Sequence, residues 1–239
     1  MDHFHYCEGQ YFAEGVSLAR IASTVGTPCY VYSRAILEQR WRLFDDAFGD
    51  YPHRIHYAVK ANGNLAILKL LCQMGSGFDI VSGGELERVL KAGGRPDDMV
   101  FSGVGKRESE ITTALEAGIH CINVESAAEL DRVNRIAGTL GAVADLALRI
   151  NPDVDPHTHP YIATGLRENK FGIPIDEVPD LVRQAHDANH VNIIGLACHI
   201  GSQLTELSPF VAALDRVLEL VFSLRQEGLQ LKHLDIGGG

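Results

Sequence analysis

Seven short segments rich in apolar and β-branched residues recur along the chain, with helix-like sequence between them. The intervening runs place apolar residues three or four positions apart, as in Leu65, Leu68 and Leu71, which is typical of helices that cover a sheet. Strand and helix patterns that alternate in this way predict parallel βαβ units. The predicted strands are His56–Lys60, Gly77–Val81, Met99–Ser102, His120–Val124, Ala144–Asn151, Val191–His199 and Leu231–Ile236.

The regular spacing of these units favours an α/β fold of the (β/α)8 TIM-barrel type over a doubly wound open sheet, which would also accommodate them. The sequence stops at Gly237-Gly238-Gly239, directly after the last predicted strand and before any helix. We therefore expect a barrel that is incomplete at its C-terminus, in a chain that is a fragment.

Residues 1–35 follow a different pattern. They predict a short helix at Val16–Ser23 and a strand at Cys29–Tyr32, after which Ser33 is placed to cap a helix that contains Trp41. We predict two regions, an N-terminal segment at residues 1–35 and the α/β barrel at residues 36–239.

Composition narrows the class of protein. The formal net charge of -10 argues against nonspecific binding to nucleic acid or to an anionic membrane. The five cysteines are scattered and contain no C-x-x-C pair, so we expect reduced thiols. The N-terminus lacks the basic start and apolar run of a signal peptide, and no apolar stretch is long enough for a membrane span. We expect a cytoplasmic protein.

In an α/β barrel the active site lies at the C-terminal ends of the strands. The first predicted strand ends in Lys60, where removal of the amine from water would favour the neutral form that Schiff-base chemistry uses. Taken alone, a lysine that reaches solvent or pairs with a carboxylate is the better interpretation of this residue.

Other strand ends also carry polar groups. Asp79 can orient a cationic neighbour, and Ser82 can cap the next helix. Arg149 can hold a carboxylate or a cofactor oxygen, with a structural ion pair to Asp79 as the alternative. His199 can lie flat on an aromatic cofactor, and the Gly-Ser pair ending in Ser202 allows close approach of an anion.

The last predicted strand ends in the glycine run 237–239. In barrels, loops at this position frequently bind phosphate through backbone N–H groups, although three glycines can also form a simple turn. An amine, an imidazole, a guanidinium and a glycine-rich turn at one end of one barrel together suit a phosphorylated aldehyde cofactor.

Six motifs spread over the chain carry a resemblance to a known family. They are Tyr57–Asn62, Gly77–Leu86, Phe101–Lys106, Asn123–Ser126, His199–Gln203 and Gly237–Gly239. With them the chain resembles the diaminopimelate decarboxylase family, in the alanine-racemase-like, fold-type III class of pyridoxal-phosphate enzymes. The segment from Asn151 to Ile173 is similar to the diaminopimelate branch and less so to the ornithine, arginine and carboxynorspermidine branches.

The resemblance implies decarboxylation of meso-diaminopimelate to L-lysine and carbon dioxide, the last step of lysine biosynthesis, by a homodimer that uses pyridoxal 5'-phosphate. It implies that Lys60 is the Schiff-base lysine and that His199 stacks on the cofactor ring, and it makes both catalytic. It implies that Asp79 and Arg149 support the site. The implied phosphate contacts are Ser202, Gly238 and Gly239.

The family also has a second, β-rich domain, mostly C-terminal, to which the N-terminal segment would contribute a strand. That domain supplies a glutamate partner for the pyridine nitrogen, a cysteine that reaches the neighbouring subunit's site, and a tyrosine near the phosphate. None of these is assigned to a residue here. We therefore expect the 239-residue chain by itself to be inactive or nearly so.

Three alternatives remain open. The first is a related decarboxylase that acts on ornithine, arginine or a D-amino acid. The second is a non-catalytic protein that binds pyridoxal phosphate. The third is a metal-dependent barrel that uses His157, His159 and His199, whose His-Thr-His spacing suits a metal. We place this last alternative lowest and expect no metal.

Overall fold

The structure is a computed structural model that describes residues 3–154 and 171–238. The chain divides into two compact units, Met1–Ile55 with Gln73–Gly75 and His56–Cys72 with Ser76–Gly239. The boundary between residues 35 and 36 stays a prediction. In the described part of the chain, no helix combines the length and apolar character needed to cross a bilayer.

The first unit contains a small antiparallel sheet of three strands and two helices. Ser17 caps the first helix, because its Oγ accepts a hydrogen bond from the Arg20 N–H at 3.3 Å. Ser33 caps the second as the sequence predicts, with its Oγ 3.1 Å from the Ile36 nitrogen. The elements are β1 (Phe4–Cys7), β2 (Gln10–Ala13), β3 (Val16–Ser17), α1 (Leu18–Val25) and α2 (Arg34–Asp46).

One prediction in this unit is wrong. The strand expected at Cys29–Tyr32 is absent, since these residues lie outside any helix or strand. Tyr30 is 91% exposed. An apolar, aromatic-rich run becomes a strand only where another strand lies beside it to take up its backbone hydrogen bonds, and the local pattern carries no such information.

The second unit is built on parallel strands that alternate with helices. Its strands are β4 (His56–Ala58), β5 (Gly77–Ile80), β6 (Met99–Phe101), β7 (Cys121–Val124), β8 (Ala144–Asn151), β9 (Ile173–Pro174), β10 (Val191–Cys198) and β11 (His233–Asp235). Its helices are α3 (Leu65–Gln73), α4 (Gly83–Ala92), α5 (Glu108–Ala117), α6 (Ala127–Leu140), α7 (Val178–His186) and α8 (Ser208–Gln226). The predicted strands are confirmed, with ends that differ by at most two residues.

The strand order identifies the architecture of this unit. Each major strand pairs in parallel with the next one along the chain, in the order β4-β5-β6-β7-β8-β10-β11, and the short β9 pairs with the end of β8. A doubly wound sheet would reverse this order at a switch point. The seven strands, with their order unreversed, are therefore those of an incomplete (β/α)8 barrel.

The two faces of the sheet have different side chains, because successive residues of a strand point to opposite faces. One face is large and apolar, and α4, α6 and α7 pack on it. It carries Phe78, Ile80, Met99, Phe101, Ile122, Leu146, Leu148 and Leu196, all fully buried. The other, the inner face of the barrel, carries a cluster of small residues, namely Val100, Cys121, Ala147 and Ala197.

Gly195 allows the last strand to join the sheet. The register between β8 and β10 shifts between Ile193 and Gly195, and β11 then pairs alongside Gly195. A Cβ atom on Gly195 would lie 2.2 Å from the backbone oxygen of His233. Only a residue without a side chain fits at this contact.

The first testable prediction concerns this contact. Gly195→Ala is expected to lower the free energy of unfolding by about 1–3 kcal/mol, because β11 must move away to make room for the methyl group. Urea unfolding followed by circular dichroism measures the change. Gly84→Ala is the matched control, since a Cβ on Gly84 meets nothing within 4 Å and the helix α4 gains up to about 1 kcal/mol from alanine. Equal stability of the two variants would contradict this account of Gly195.

Candidate active site

Alternation along the strands carries polar side chains to one end of the inner face. On β7, Cys121 belongs to the small inner cluster, and the next residues on its side are Asn123 and Glu125. On β8, Ala147 is followed in the same way by Arg149. Because the strands are parallel, the polar groups that follow the small residues gather at the C-terminal rim.

Lys60 lies at this rim, in a single 3₁₀ turn, Val59–Ala61, that directly follows β4. Val59 beside it is buried, whereas Lys60 is exposed. This exposure agrees with the interpretation that Lys60 taken alone favours, a lysine that reaches solvent. The amine is accessible to a ligand, and the strand fixes only its backbone.

Asp79 lies in the middle of the inner polar groups, paired through its backbone with Ala58 of β4 and Val100 of β6. Burial raises the pKa of its carboxyl to about 6, while a hydrogen bond with Ser102 acts in the opposite direction. The charge of Asp235 raises this pKa further, and Lys60 and Arg149 lower it. Among the described residues, its buried Oδ1 has no hydrogen-bond partner.

His199 follows β10 at the same rim. Burial, together with the nearby charges of Arg149 and Lys60, lowers the pKa of its imidazole to about 4. The N–H of Gly238 donates to its Nδ1 at 3.4 Å. Burial and these charges therefore favour the neutral form of the ring.

Arg149 makes an ion pair that the sequence did not predict. Its Nη1 donates to Oε1 of Glu125 at 2.8 Å, and both side chains are largely buried. The proposed alternative, a direct ion pair with Asp79, is wrong, because Arg149 acts on Asp79 only through its charge. The guanidinium carbon also lies 5.4 Å from the centre of the Phe171 ring.

The turn after β11 brings backbone N–H groups to the rim. The Gly237 N–H donates to Oδ1 of Asp235 at 2.8 Å. Gly237 has φ +71°, and a Cβ on it would lie 2.5 Å from the carbonyl oxygen of Cys198, so glycine is required on both counts. Ser202 is exposed after Gly201. Gly239 lies outside the described residues.

A buried amide connects two sides of the barrel. Asn123 Nδ2 donates to Oγ of Ser102 at 3.0 Å and to Oδ2 of Asp235 at 3.2 Å. Since Ser102 also hydrogen-bonds with Asp79, four strands are joined through their inner side chains. The sequence motif Asn123–Ser126 contains both Asn123 and Glu125 but assigns neither a role in the site, whereas counting in twos from Cys121 would have placed both on the inner face.

Serine caps with a downstream glutamate hold two of the rim loops. Ser82 caps α4 as predicted, with its Oγ 3.3 Å from the Glu85 nitrogen, and Oε2 of Glu85 accepts from the Val81 N–H at 2.7 Å. Ser126 and Glu129 repeat this arrangement after β7. Each loop is therefore tied at both ends by a side chain.

The groups at the rim fit a phosphorylated aldehyde cofactor. Lys60 offers an accessible amine, His199 a neutral flat ring, and Arg149 a cation whose charge reaches Asp79 and His199. The Gly237 turn forms a close cradle that a side chain would fill. In the described ranges, no group of three or more His, Cys, Asp or Glu is placed to hold a metal, and His157 and His159 lie outside those ranges.

The fold and these groups define a pyridoxal-phosphate-binding α/β barrel. Residues 34–239 match the family described as "Pyridoxal-dependent decarboxylase, pyridoxal binding domain". The chain belongs to this family of decarboxylases.

Relatives of the chain narrow the family further. The diaminopimelate decarboxylase of Vibrio cholerae is 59% identical over 240 residues, and that of Pseudomonas aeruginosa is 56% identical over 239 residues. Each comparison covers 100% of this chain and 58% of the relative. A crystal structure of the Helicobacter pylori diaminopimelate decarboxylase complexed with L-lysine superposes with a TM-score of 0.90 at 42% identity, over 93% of this chain and 56% of that one. The chain thus spans about 58% of the length of the curated relatives it matches.

The second testable prediction concerns the pH dependence of stability. His199 has a pKa of about 4 in the folded protein against 6.5, so between these values the unfolded chain binds more protons and acidification destabilises the fold. Asp79 has a pKa of about 6 against 3.8, so over that range the folded protein binds more protons and acidification stabilises it. The two contributions oppose each other.

Substitution of either residue should reveal the stability contribution of the other. Asp79→Asn is expected to lose stability more steeply than the wild type as the pH falls from about 6 to about 4. His199→Asn is expected to lose it less steeply over about pH 6.5 to 4. Urea unfolding at half-unit pH steps measures both slopes, and slopes parallel to the wild type in both variants would contradict the assignment.

Proposed function

We propose that this chain forms the cofactor-binding barrel of an enzyme that decarboxylates meso-diaminopimelate to L-lysine and carbon dioxide. The observation that carries the proposal is the convergence of Lys60, Asp79, Arg149 and His199 on one rim, where their charges act on each other. When bound, pyridoxal phosphate supplies an aldehyde for the substrate amine and a ring that accepts the electron pair left after loss of carbon dioxide.

Lys60 and His199 have the two central roles in this proposal. The amine of Lys60 would hold the cofactor covalently when it is bound, and the exposure of Lys60 would give a substrate amine access to it. His199 would stack on the cofactor ring. Because its imidazole is neutral and held through Nδ1 by the Gly238 N–H, it provides a flat surface and no added charge.

The remaining site residues position charge. We assign Arg149 and Asp79 supporting roles beside the cofactor, and we assign contacts with its phosphate to Ser202, Gly238 and Gly239. The cradle at Gly237 supports the phosphate assignment, because backbone N–H groups at a bare turn bind anions well. In the described structure the Gly238 N–H donates to His199, so phosphate binding at Gly238 would share that donor with the imidazole.

The substrate assignment rests on the relatives and on sequence. The relatives named above are diaminopimelate decarboxylases, and the H. pylori structure contains L-lysine, the expected product. We further propose that the protein works in the cytoplasm as a homodimer in lysine biosynthesis. It would bind neither nucleic acid nor membranes, in keeping with its net charge of -10.

The third testable prediction identifies the cofactor lysine. Reduction of the pyridoxal-phosphate-loaded protein with borohydride, followed by peptide mapping, is expected to place the phosphopyridoxyl group on Lys60. Lys60→Ala should abolish the adduct, and the exposed Lys69→Ala should leave it unchanged. An adduct on another lysine, such as the buried Lys106, would overturn the assignment.

The fourth testable prediction concerns the substrate. The full-length protein is expected to release carbon dioxide from meso-diaminopimelate with a kcat/KM at least about 100-fold above that for L-ornithine or L-arginine, because a site built for a polar group strongly rejects molecules that lack it. Equal or faster turnover of ornithine would favour the related decarboxylases. A Lys60 adduct without turnover of any amino acid would favour a non-catalytic protein that binds pyridoxal phosphate.

A further inference from the structure

Glu125 is a buried carboxylate at the rim with three hydrogen-bond donors around it. Its side chain is 3% exposed. Oε1 accepts from Nη1 of Arg149 at 2.8 Å and from the Gly103 N–H at 3.1 Å, and Oε2 accepts from the Gly172 N–H at 3.3 Å. A buried carboxylate that accepts three hydrogen bonds, one of them from a guanidinium, is held in one orientation.

The three donors come from different parts of the barrel. Gly103 follows β6, Arg149 lies in β8, and Gly172 directly precedes β9. Gly172 has φ +80°, and a Cβ there would lie 3.2 Å from the Arg149 carbonyl oxygen, so the chain returns in close contact with the backbone of β8. Glu125 therefore joins Arg149 to the returning chain and to the loop after β6.

A second buried ion pair, between Lys106 and Glu129, fixes the backbone at Glu125. Oε2 of Glu129 accepts from the Glu125 N–H at 2.8 Å, and its Oε1 pairs with Nζ of Lys106 at 3.0 Å. That amine also donates to the carbonyl oxygens of Gly103 and Asn123, both at 2.7 Å. Burial lowers the pKa of Lys106, and the charge of Glu129 counteracts this. The backbone of Glu125 and that of its partner Gly103 are thus both fixed.

These contacts limit the orientations that the Arg149 side chain can adopt. A guanidinium on a long side chain has many rotamers, and near a cofactor its position matters to within about 1 Å. Glu125 restricts Arg149 from one side, and Phe171 lies 5.4 Å from the guanidinium carbon. Glu125 also balances the charge of Arg149, which would otherwise be largely buried without a counterion.

We propose that Glu125 is a positioning residue for the decarboxylase site: it holds Arg149 in its working orientation and ties it to the chain that returns at Gly172. This inference rests on the proposed function. In this proposal Glu125 acts on the site through Arg149, its ion-pair partner.

The fifth testable prediction is a double-mutant cycle on Glu125 and Arg149. Glu125→Gln is expected to raise the Kd for pyridoxal phosphate about 10-fold and to lower kcat/KM for diaminopimelate about 100-fold, because the guanidinium loses its orientation. In an Arg149→Met background, the same change should alter either quantity by less than about 2-fold. Glu125→Asp, which keeps the charge, should recover part of the loss.

The matched control is Glu110→Gln. Oε1 of Glu110 accepts from the Gly83 N–H at 2.8 Å and Oε2 from the Arg107 N–H at 3.0 Å, so this carboxylate also holds loops. Glu110→Gln therefore measures the effect of losing a carboxylate that only holds loops together. If Glu125→Gln matches this control, or if its effect is undiminished in the Arg149→Met background, the positioning role is wrong.

The outcomes separate this role from the proposed function. A wild-type protein that forms the Lys60 adduct and turns over diaminopimelate, with Glu125→Gln unaffected, contradicts only the positioning role. A wild-type protein that forms no adduct contradicts the proposed function and the positioning role together. If Glu125→Gln does not fold, the cycle is carried out with Glu125→Asp, whose shortened side chain is expected to give a smaller effect that Arg149→Met also removes.

Discussion

The alternation of side chains along parallel strands is the constraint on which the site depends. One face of each strand must be large and apolar to bury the helices, which leaves the other face for small residues followed by polar ones. Ala147 and Arg149 on β8 show this pairing of a small and a polar residue two positions apart. Because all seven major strands run in the same direction, their polar ends meet at one rim.

Polar groups at and around the rim are costly to bury, and the structure offsets the cost by connecting them through hydrogen bonds. Lys106, whose side chain is fully buried, uses its amine in three hydrogen bonds. Glu125 accepts three, and Asn123 bridges Ser102 to Asp235 across the barrel. Asp79 is less completely bonded, and burial accordingly raises the pKa of its carboxyl. The groups that build the rim thus have several hydrogen-bond partners each, whereas Asp79 has fewer and can change its protonation.

Charge at the rim is arranged so that the groups proposed to contact the cofactor differ in protonation. His199 is kept neutral by burial and by the nearby cations Arg149 and Lys60. Arg149 forms a largely buried ion pair with Glu125 at 2.8 Å. A neutral ring beside a fixed cation suits a cofactor that carries an aromatic ring and an anionic phosphate. The pKa of Asp79 is raised and that of His199 is lowered, so the contributions of these two residues to the pH dependence of stability oppose each other.

Local periodicity and short motifs, read from the sequence alone, determined the parallel strands, the serine caps at Ser33 and Ser82, and the positions of Lys60 and His199 at strand ends. Each of these depends on neighbours within a few residues. Only the tertiary structure decided that Arg149 pairs with Glu125 and not with Asp79, that Lys60 is exposed, and that Cys29–Tyr32 is not a strand. Those outcomes depend on which groups from distant parts of the chain come within bonding distance, and on how much solvent they exclude, neither of which is encoded in local spacing.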